Sequence, residues 1–363
     1  MKVEATDLKR TYALHQEEYE QAALRALRSG WYILGNELEQ FENDFAAYCG
    51  AKHCIGLNSG QDALILAVRA LKIGVGDEVI VPSNTYIATV LGVTENGATP
   101  IFVEPDVFMN IDVARIEEAI TTRTKAIIAV HLYGQACNMA PLAQLAQRHG
   151  LYLLEDCAQA HGAAFQNKKV GTFGTIGCFS FYPTKPIGAF GDAGAVITDH
   201  DGLAEKVRML RNYGSRKKYI NEIIGVNSRL DEVQAAILQV SLSHLDERNG
   251  FRVEIANTYD AGINNEKVRL PRTLKGATHV YHQYPILCKD RDALQAHLLK
   301  NGVKTIIHYP IPPHLAECYC YLGYFKGNFP IAETLANEEL SLPIYAGMPM
   351  DEVWHVVQKI NEF

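Results

Sequence analysis

The sequence lacks the features that define several large classes of protein. Its 34 Lys and Arg residues are outnumbered by 41 Asp and Glu, which gives a formal net charge of −7. A chain of this charge has no global positive field to hold a polyphosphate backbone, so we expect no nucleic-acid partner. No apolar run approaches the roughly 20 residues that a membrane-spanning helix needs. The charged N-terminus also lacks the apolar core of a signal peptide, so we expect no membrane contact and a cytoplasmic location.

The eight cysteines are scattered and form no CxxC pair of zinc-site spacing. A chain of 363 residues is too large to need disulfides, so we expect reduced, mostly buried thiols. Hydrophobic residues make up 48% and charged residues 21% of the chain, which is typical of a globular protein and excludes collagen-like, disordered and coiled-coil classes.

Strand-like and helical segments alternate from about residue 60 to 200, which predicts an α/β sheet with helices on its faces. Short, continuously apolar strands are typical of mostly parallel sheets that are covered on both sides. The predicted strands are EVIVPS, TPIFVEP, KAIIAVHLYG, LYLLEDCA, CFSFYP and GAVITD.

After residue 200 the pattern becomes a long helical region, and from about 265 strand pieces (HQYPILC, TIIHYP) mix with helices. This change predicts a second, smaller α+β domain. We place a large α/β domain, with the N-terminal segment, at residues 1–245 and the small domain at residues 246–363.

Ligands of open α/β sheets bind at the carboxyl ends of the strands, which directs attention to Asp156 and Lys185. Asp156 ends the strand LYLLED; it could hold a cation, but an N-cap or a salt bridge is an equally ordinary use of such a carboxylate. Lys185 follows an apolar strand between Pro183 and Pro186, where its amine could be desolvated and nucleophilic, or simply be a solvated loop lysine.

The helix start in NSGQDALILA is a third candidate. Ser59 followed three residues later by Asp62 fits a capping box. The same helix start, with Gly60 leaving the amides unobstructed, could receive a phosphate. A capped helix start is also an anion site, so both interpretations can hold.

Taken together these candidates favour one cofactor. Pyridoxal 5′-phosphate (PLP) requires an amine for a Schiff base, a carboxylate for its pyridine nitrogen, an aromatic face and phosphate donors. Lys185, Asp156, Tyr86 and the helix start after Ser59 supply these four parts.

The chain also resembles a known family in motifs that keep the family's order along nearly its whole length. These are SGWYILGNELEQFE (29–42), NSGQDAL (58–64), PSNTYIAT (82–89), VHLYGQ (130–135), LEDCAQAHGA (154–163), FSFYPTK (179–185), GDAGA (191–195), RNYGS (211–215), GVNSRLDEVQAA (225–236), HYPIPPH (308–314) and LSLP (340–343). They resemble the DegT/StrS family of PLP-dependent nucleotide-sugar aminotransferases. The resemblance implies the fold type I aminotransferase architecture, with a mostly parallel mixed sheet, and an obligate homodimer with active sites at the subunit interface.

The resemblance also implies roles for individual residues. Lys185 is the Schiff-base lysine and proton shuttle, and Asp156 pairs with the pyridine nitrogen. The remaining cofactor contacts it implies are Gln159 near the phenolic oxygen, Tyr86 stacked on the ring, Gly60, Gln61 and Ser180 at the phosphate, and Asn227 reaching the phosphate from the partner subunit. Without the resemblance, Asn227 and Arg229 would be interpreted as a helix N-terminus.

Candidate sugar-nucleotide residues are Tyr182, Lys218, His308 and Tyr309, with Trp31 and Tyr32 as further candidates. Lys218 follows Arg216 and Lys217, and this basic cluster could neutralise a diphosphate or be a solvated loop. His308 could instead be a buried structural histidine. No metal site is expected.

The motifs WYILG and HLYGQ resemble most the branch that aminates C-3 of dTDP-3-keto-6-deoxyhexoses with L-glutamate as donor, passing the nitrogen through the pyridoxamine (PMP) form. The expected product is a dTDP-3-amino-3,6-dideoxyhexose, for a surface polysaccharide such as an O-antigen or for a glycosylated metabolite. Amination at C-4 by the same family and a non-catalytic family member are the alternatives. A dinucleotide-dependent oxidoreductase is disfavoured, because GTFGTIG (171–177) has the wrong spacing and lies late in the chain.

Overall fold

The computed structural model describes all 363 residues. It contains thirteen α-helices: α1 Leu8–Ala13, α2 Gln16–Ser29, α3 Asn36–Cys49, α4 Gly60–Ala70, α5 Ile87–Thr94, α6 Val113–Ala119, α7 Met139–Arg148, α8 Asp201–Leu210, α9 Glu232–Ser243, α10 Leu245–Gly262, α11 Arg291–Lys300, α12 Pro330–Glu338 and α13 Met350–Asn361.

The strands number fourteen: β1 His53–Leu57, β2 Glu78–Pro82, β3 Thr99–Val103, β4 Thr124–Val130, β5 Tyr152–Asp156, β6 Ala164–Phe165, β7 Lys168–Lys169, β8 Ile176–Ser180, β9 Gly194–Thr198, β10 Ser215–Lys217, β11 Ile220–Asn221, β12 Val268–Arg269, β13 Tyr284–Cys288 and β14 Glu339–Leu342.

Seven strands form the central sheet in the order β1-β9-β8-β5-β4-β2-β3. Only β9 runs against the others, pairing antiparallel with both β1 and β8. The carboxyl ends of the other six strands therefore meet at one edge, which is the fold-class prediction of a mostly parallel mixed sheet. The register pairs Val130 of β4 with Asp156 of β5, and Asp156 with Cys178 of β8.

The sheet separates two apolar cores, because successive side chains of a strand point to opposite faces. In β2, Ile80 belongs to a cluster of 36 buried residues, whereas Val79 and Val81 belong to a second cluster of 32. Residues of β4 alternate in the same way, with Ile127 and Ala129 in the first cluster and their neighbours in the second. Both faces are covered, as the continuously apolar strand sequences predict.

A third cluster of 21 buried residues lies around β12–β14 with α10, α11 and α13. It runs from Ile255 to Ile360 and also includes Val3, near the N-terminus. Leu245, at the start of α10, packs in the first cluster instead. The two cores thus share α10, and the division at residues 245 and 246 stays a prediction.

Two of the predicted segments are wrong. The helical region after residue 200 is interrupted by the β10–β11 hairpin, and only Ile306 of the predicted strand TIIHYP makes a bridge, to Ser341. Short hairpins and single bridges contain too few residues to show a periodicity in the sequence.

No helix combines the length and apolar character needed to cross a membrane.

The glycine-rich stretch 171–177 has a structural use. The backbone amides of Gly171, Phe173 and Gly174 all donate to the buried carboxylate of Glu155, each at 2.7 Å. The His131 Nε2 contacts the same carboxylate at 3.0 Å. These amides wrap a side chain of the protein, so the stretch is not a phosphate-binding loop for a dinucleotide.

Candidate active site

A cavity of about 610 Å³ lies at the edge where the carboxyl ends of the parallel strands meet. Ten of the fourteen predicted site residues line it together: Gly60, Gln61, Tyr86, Asp156, Gln159, Ser180, Tyr182, Lys185, His308 and Tyr309. The last two come from the C-terminal part of the chain, so the cavity lies between the two cores.

Lys185 lies in the turn that follows β8, where its amide donates to the carbonyl of Tyr182 at 2.8 Å. Burial of its amine lowers the pKa of Lys185 to about 8, and the Asp156 carboxylate opposes that shift. The amine therefore loses its proton near pH 8, whereas an ordinary lysine, with a pKa of 10.5, keeps it to a much higher pH. A neutral amine is the nucleophilic form. Because Lys185 is only partly exposed and lines the cavity, the solvated-loop interpretation is wrong.

Asp156 is 6% exposed at the end of β5. Its Oδ2 accepts a hydrogen bond from Thr89 Oγ1 at 2.8 Å, and its Oδ1 accepts one from the Ala158 amide at 3.1 Å. Burial raises the pKa of Asp156, and these two bonds and Lys185 limit the rise. No helix begins after Asp156, so the N-cap interpretation is wrong.

The first turn of α4 borders the cavity with free backbone amides, a cradle suited to an anion. Ser59 is extended, and its Oγ accepts the Asp62 amide at 3.1 Å, as the capping interpretation predicts. The amides of Gly60 and Gln61 belong to the first turn, which has no earlier carbonyl within the helix to accept them. A Cβ on Gly60 would lie 2.4 Å from Ser180 Cβ, so only glycine lets α4 approach the end of β8 this closely.

Aromatic residues form one wall of the cavity. The rings of Tyr86 and Tyr309 lie 4.9 Å apart between centroids and are inclined by 36°. Gln159 Nε2 donates to the Tyr309 hydroxyl at 3.0 Å, and Gln159 Oε1 accepts the Tyr133 amide. Tyr133 has a positive φ of 60° in a short 3₁₀ turn after β4. These contacts fix the position of Gln159 beside Asp156.

His308 is held by the C-terminal part of the chain. Its Nδ1 lies 2.9 Å from Ser341 Oγ, and its amide donates to the Glu339 carboxylate at 2.6 Å. Burial lowers the pKa of His308 to about 4, with a further contribution from Lys185, and raises the pKa of Glu339 to about 8. His308 is therefore both hydrogen-bonded and exposed to the cavity as a neutral imidazole.

Four predicted site residues do not reach the cavity within one chain. Asn227 and Lys218 are exposed, the latter in the β10–β11 hairpin, and Trp31 and Tyr32 are 64% and 51% exposed. Helix α9 begins only at Glu232, so Asn227 is not a helix N-terminus and that alternative is wrong.

Thr89, His282 and Gln283 are among the cavity residues that sequence reasoning missed. Thr89 lies in a predicted motif, but nothing in its spacing indicated a bond to Asp156 across 67 positions. His282 and Gln283 enter the cavity from the segment before β13, which carries no strand-end signal of the large sheet.

The chain is similar to known aminotransferases over its whole length. A model of the DegT/DnrJ/EryC1/StrS aminotransferase family matches residues 14–361. The dTDP-3-amino-3,6-dideoxy-alpha-D-galactopyranose transaminase of Aneurinibacillus thermoaerophilus is 51% identical over 358 residues, 98% of each chain.

Two solved structures extend this similarity to the fold. DesV of S. venezuelae, in complex with a ketimine intermediate, has a TM-score of 0.98 at 47% identity, covering 99% of this chain and 98% of DesV. NtdA of Bacillus subtilis, with bound cofactor PMP, has a TM-score of 0.92 at 31% identity, covering 99% of this chain and 85% of NtdA.

The residues of the cavity fit pyridoxal phosphate. The cavity presents a half-buried amine, a buried carboxylate, an aromatic side chain and the free amides of a helix start. The close approach at Gly60 shapes the cradle, because any side chain there would collide with Ser180. This donor set is the one the cofactor requires.

Replacing Gly60 by alanine tests the cradle. We expect Gly60→Ala to fold but to weaken cofactor retention at least about tenfold, because the added Cβ displaces Ser180 from the phosphate donors. Equilibrium dialysis with absorbance detection measures this.

Gly202→Ala is the matched control, since its Cβ at the start of α8 has no atom within 4 Å. Equal cofactor retention by both variants would contradict the assignment of the α4 start to the phosphate.

Proposed function

Because the chain belongs to the DegT/DnrJ/EryC1/StrS aminotransferase family, we propose that it moves an amino group from L-glutamate to C-3 of a dTDP-linked 3-keto-6-deoxyhexose. The chain is an aminotransferase, and its cofactor is pyridoxal phosphate. The product is then a dTDP-3-amino-3,6-dideoxyhexose. The observation that carries the proposal is the half-buried Lys185 amine, with its lowered pKa, in the cavity that Asp156, Gly60 and Tyr86 also line.

The choice of C-3 and of a dTDP sugar is supported by relatives over their full length. The 51% identical protein is named for a dTDP-3-amino-3,6-dideoxyhexose, and DesV matches with a TM-score of 0.98. The WYILG and HLYGQ motifs also resemble that branch. A deoxyamino sugar of this kind serves a polysaccharide or a glycosylated metabolite.

The chemistry divides between cofactor and protein. Bound pyridoxal phosphate supplies the electron sink and carries the nitrogen from donor to acceptor. Lys185 contributes the amine that holds the cofactor and, once released, moves a proton to and from the substrate carbon. With a pKa of about 8, about a tenth of this amine is neutral at pH 7, far more than for a lysine with the ordinary pKa of 10.5, and proton removal requires the neutral form.

Asp156 supplies the charge that keeps a ring nitrogen protonated. Its burial makes an isolated carboxylate costly, so a cationic partner is favoured there. Thr89 and the Ala158 amide hold both carboxylate oxygens in place. Thr89 is therefore a positioning residue for the acid, and Gln159, fixed by Tyr133 and Tyr309, stands beside it for the phenolic oxygen.

The sugar nucleotide meets the outer part of the cavity. Tyr182 is 51% exposed there, and His308 and Tyr309 face it from the other side. Arg216 is paired with Glu205 and Glu222, whereas Lys218 makes no salt bridge, which leaves its amine available for a diphosphate.

We further propose a homodimer in which Lys218 and Asn227 complete the partner's site. The β10–β11 hairpin and its flanks expose apolar residues, Tyr219 at 86%, Ile220 at 52% and Ile224 at 91%. Trp31 and Tyr32 are exposed beside the start of α9, where the Tyr32 carbonyl accepts the amide of Glu232. Exposed apolar surface of this extent marks a protein interface.

Absorbance spectroscopy of the PLP-loaded enzyme tests the reaction. We expect L-glutamate to remove the visible band of the bound cofactor, and a dTDP-3-keto-6-deoxyhexose to restore it. In Lys185→Ala both the loss and the return of the band should be much slower than in the wild type, because the variant lacks the covalent attachment and the proton shuttle.

The choice of keto sugar in the second step distinguishes amination at C-3 from amination at C-4. Both C-4 epimers of the 3-keto sugar and a dTDP-4-keto-6-deoxyhexose are added in parallel. Restoration by the 4-keto sugar alone would overturn C-3 amination while leaving the aminotransferase intact, and the absence of any response to glutamate would overturn the donor.

Complementation between inactive variants tests the shared site. Lys185→Ala and Asn227→Ala are co-expressed with different tags, and the hybrid dimer is purified. If Asn227 serves the partner's site, the hybrid has one intact site and regains roughly half of the wild-type activity.

A hybrid of Lys185→Ala and Asp156→Asn is the control, because both lesions fall in a chain's own site and neither site is complete. An inactive Lys185→Ala/Asn227→Ala hybrid would show that Asn227 does not cross the interface.

A further inference from the structure

A second, smaller cavity of about 60 Å³ lies behind the turn that carries Lys185. It is bounded by the N-terminal segment, by the 183–190 stretch and by helix α10, with Tyr345 at one side. Lys185 and Thr184 border both cavities, so the two lie on opposite sides of the lysine turn.

Two arginines of α10 face this cavity. Arg248 and Arg252 are one helical turn apart and only 3% and 5% exposed. An Nη of Arg248 donates to the Tyr19 hydroxyl, but its Nε has no partner. Arg252 has neither its Nε nor Nη1 hydrogen-bonded. Buried donors of charged side chains are rarely left in this state.

The surroundings supply no compensating negative charge. Neither guanidinium has a carboxylate within 4.0 Å, and Glu352, which bonds the Tyr345 hydroxyl, is already paired with Arg10. Burial and the neighbouring Arg248 lower the pKa of Arg252 to about 10, so the Arg252 guanidinium stays charged at neutral pH. Burial also lowers the pKa of nearby His161 to about 3, so it adds no charge.

We propose that this cavity is a binding site for one small inorganic anion, with chloride as its physiological occupant, held between the guanidiniums of Arg248 and Arg252. Two adjacent buried cations without a counter-charge are strongly unfavourable. The volume accommodates one small ion or about two waters of roughly 30 Å³ each. Water would satisfy the donors but leave both charges uncompensated.

The anion would fasten three parts of the molecule together. The cavity joins the N-terminal segment through Thr6 and Thr11, the lysine turn through Pro186, and α10, which connects the two cores. A bound anion would therefore stabilise the turn that carries Lys185, from the side opposite the cofactor cavity. This inference does not depend on the identity of the sugar substrate.

Bromide diffraction locates the ion directly. Crystals of the PLP-loaded enzyme are grown in sodium bromide, and data are collected at the bromine edge. We expect one anomalous peak between the two guanidiniums.

Thermal unfolding of the loaded enzyme gives a second readout in solution. Sodium chloride is compared with sodium gluconate at equal ionic strength, because gluconate is too large for the cavity. We expect the melting temperature to rise with chloride only, logarithmically above the dissociation constant, by roughly 2 °C when chloride exceeds that constant about tenfold.

Arg252→Met should abolish the chloride response, and Arg252→Lys should retain a weaker one. Arg208→Met, an exposed arginine of α8, is the matched control and should respond as the wild type does. If Arg252→Met does not fold, the bromide map of the wild type still decides.

Three results would overturn the proposal: water alone between the guanidiniums, a carboxylate of a second copy inserted there, or a melting temperature that depends on ionic strength but not on the anion.

Discussion

The structure depends on the burial of one amine beside one carboxylate at the edge of a parallel sheet. Lys185 would be protonated in water, and removal of its charge from solvent brings its pKa down to about 8. Asp156 acts in the opposite direction, since its charge favours the protonated amine. The balance places the titration midpoint of Lys185 within about one pH unit of neutrality, which suits a group that must first attack and then transfer a proton.

The sheet topology produces that balance. Because β5 and β8 are adjacent and parallel, their carboxyl ends bring Asp156 and the Lys185 turn together, and the start of α4 reaches the same edge from β1. The C-terminal part closes the cavity with His308, itself held by Glu339 and Ser341. Cofactor chemistry thus rests on the large sheet, and the walls of the cavity come from both cores.

Sequence patterns predicted the parts of the site that follow from strand ends. Short apolar strands located Asp156 and Lys185, and the Ser59 motif located the helix start, because each signal is contained within a few neighbouring residues. The Thr89 bond to Asp156 joins residues 67 positions apart, and the hairpin around Lys218 interrupts a region whose composition is helical. Such features depend on tertiary packing, which one sequence does not display. Asn227 and Lys218 lie outside their own chain's cavity, and their site roles remain predictions.

The ionisation of Lys185 in the cofactor-free enzyme tests the central claim most directly. Competitive acetylation across pH, quantified by mass spectrometry of the Lys185 peptide with exposed Lys9 as internal reference, measures the fraction of neutral amine. Because burial lowers the pKa of Lys185, its labelling should rise with a midpoint near pH 8, well below that of a solvated lysine. A midpoint near 10.5 would show a solvated amine and contradict the account.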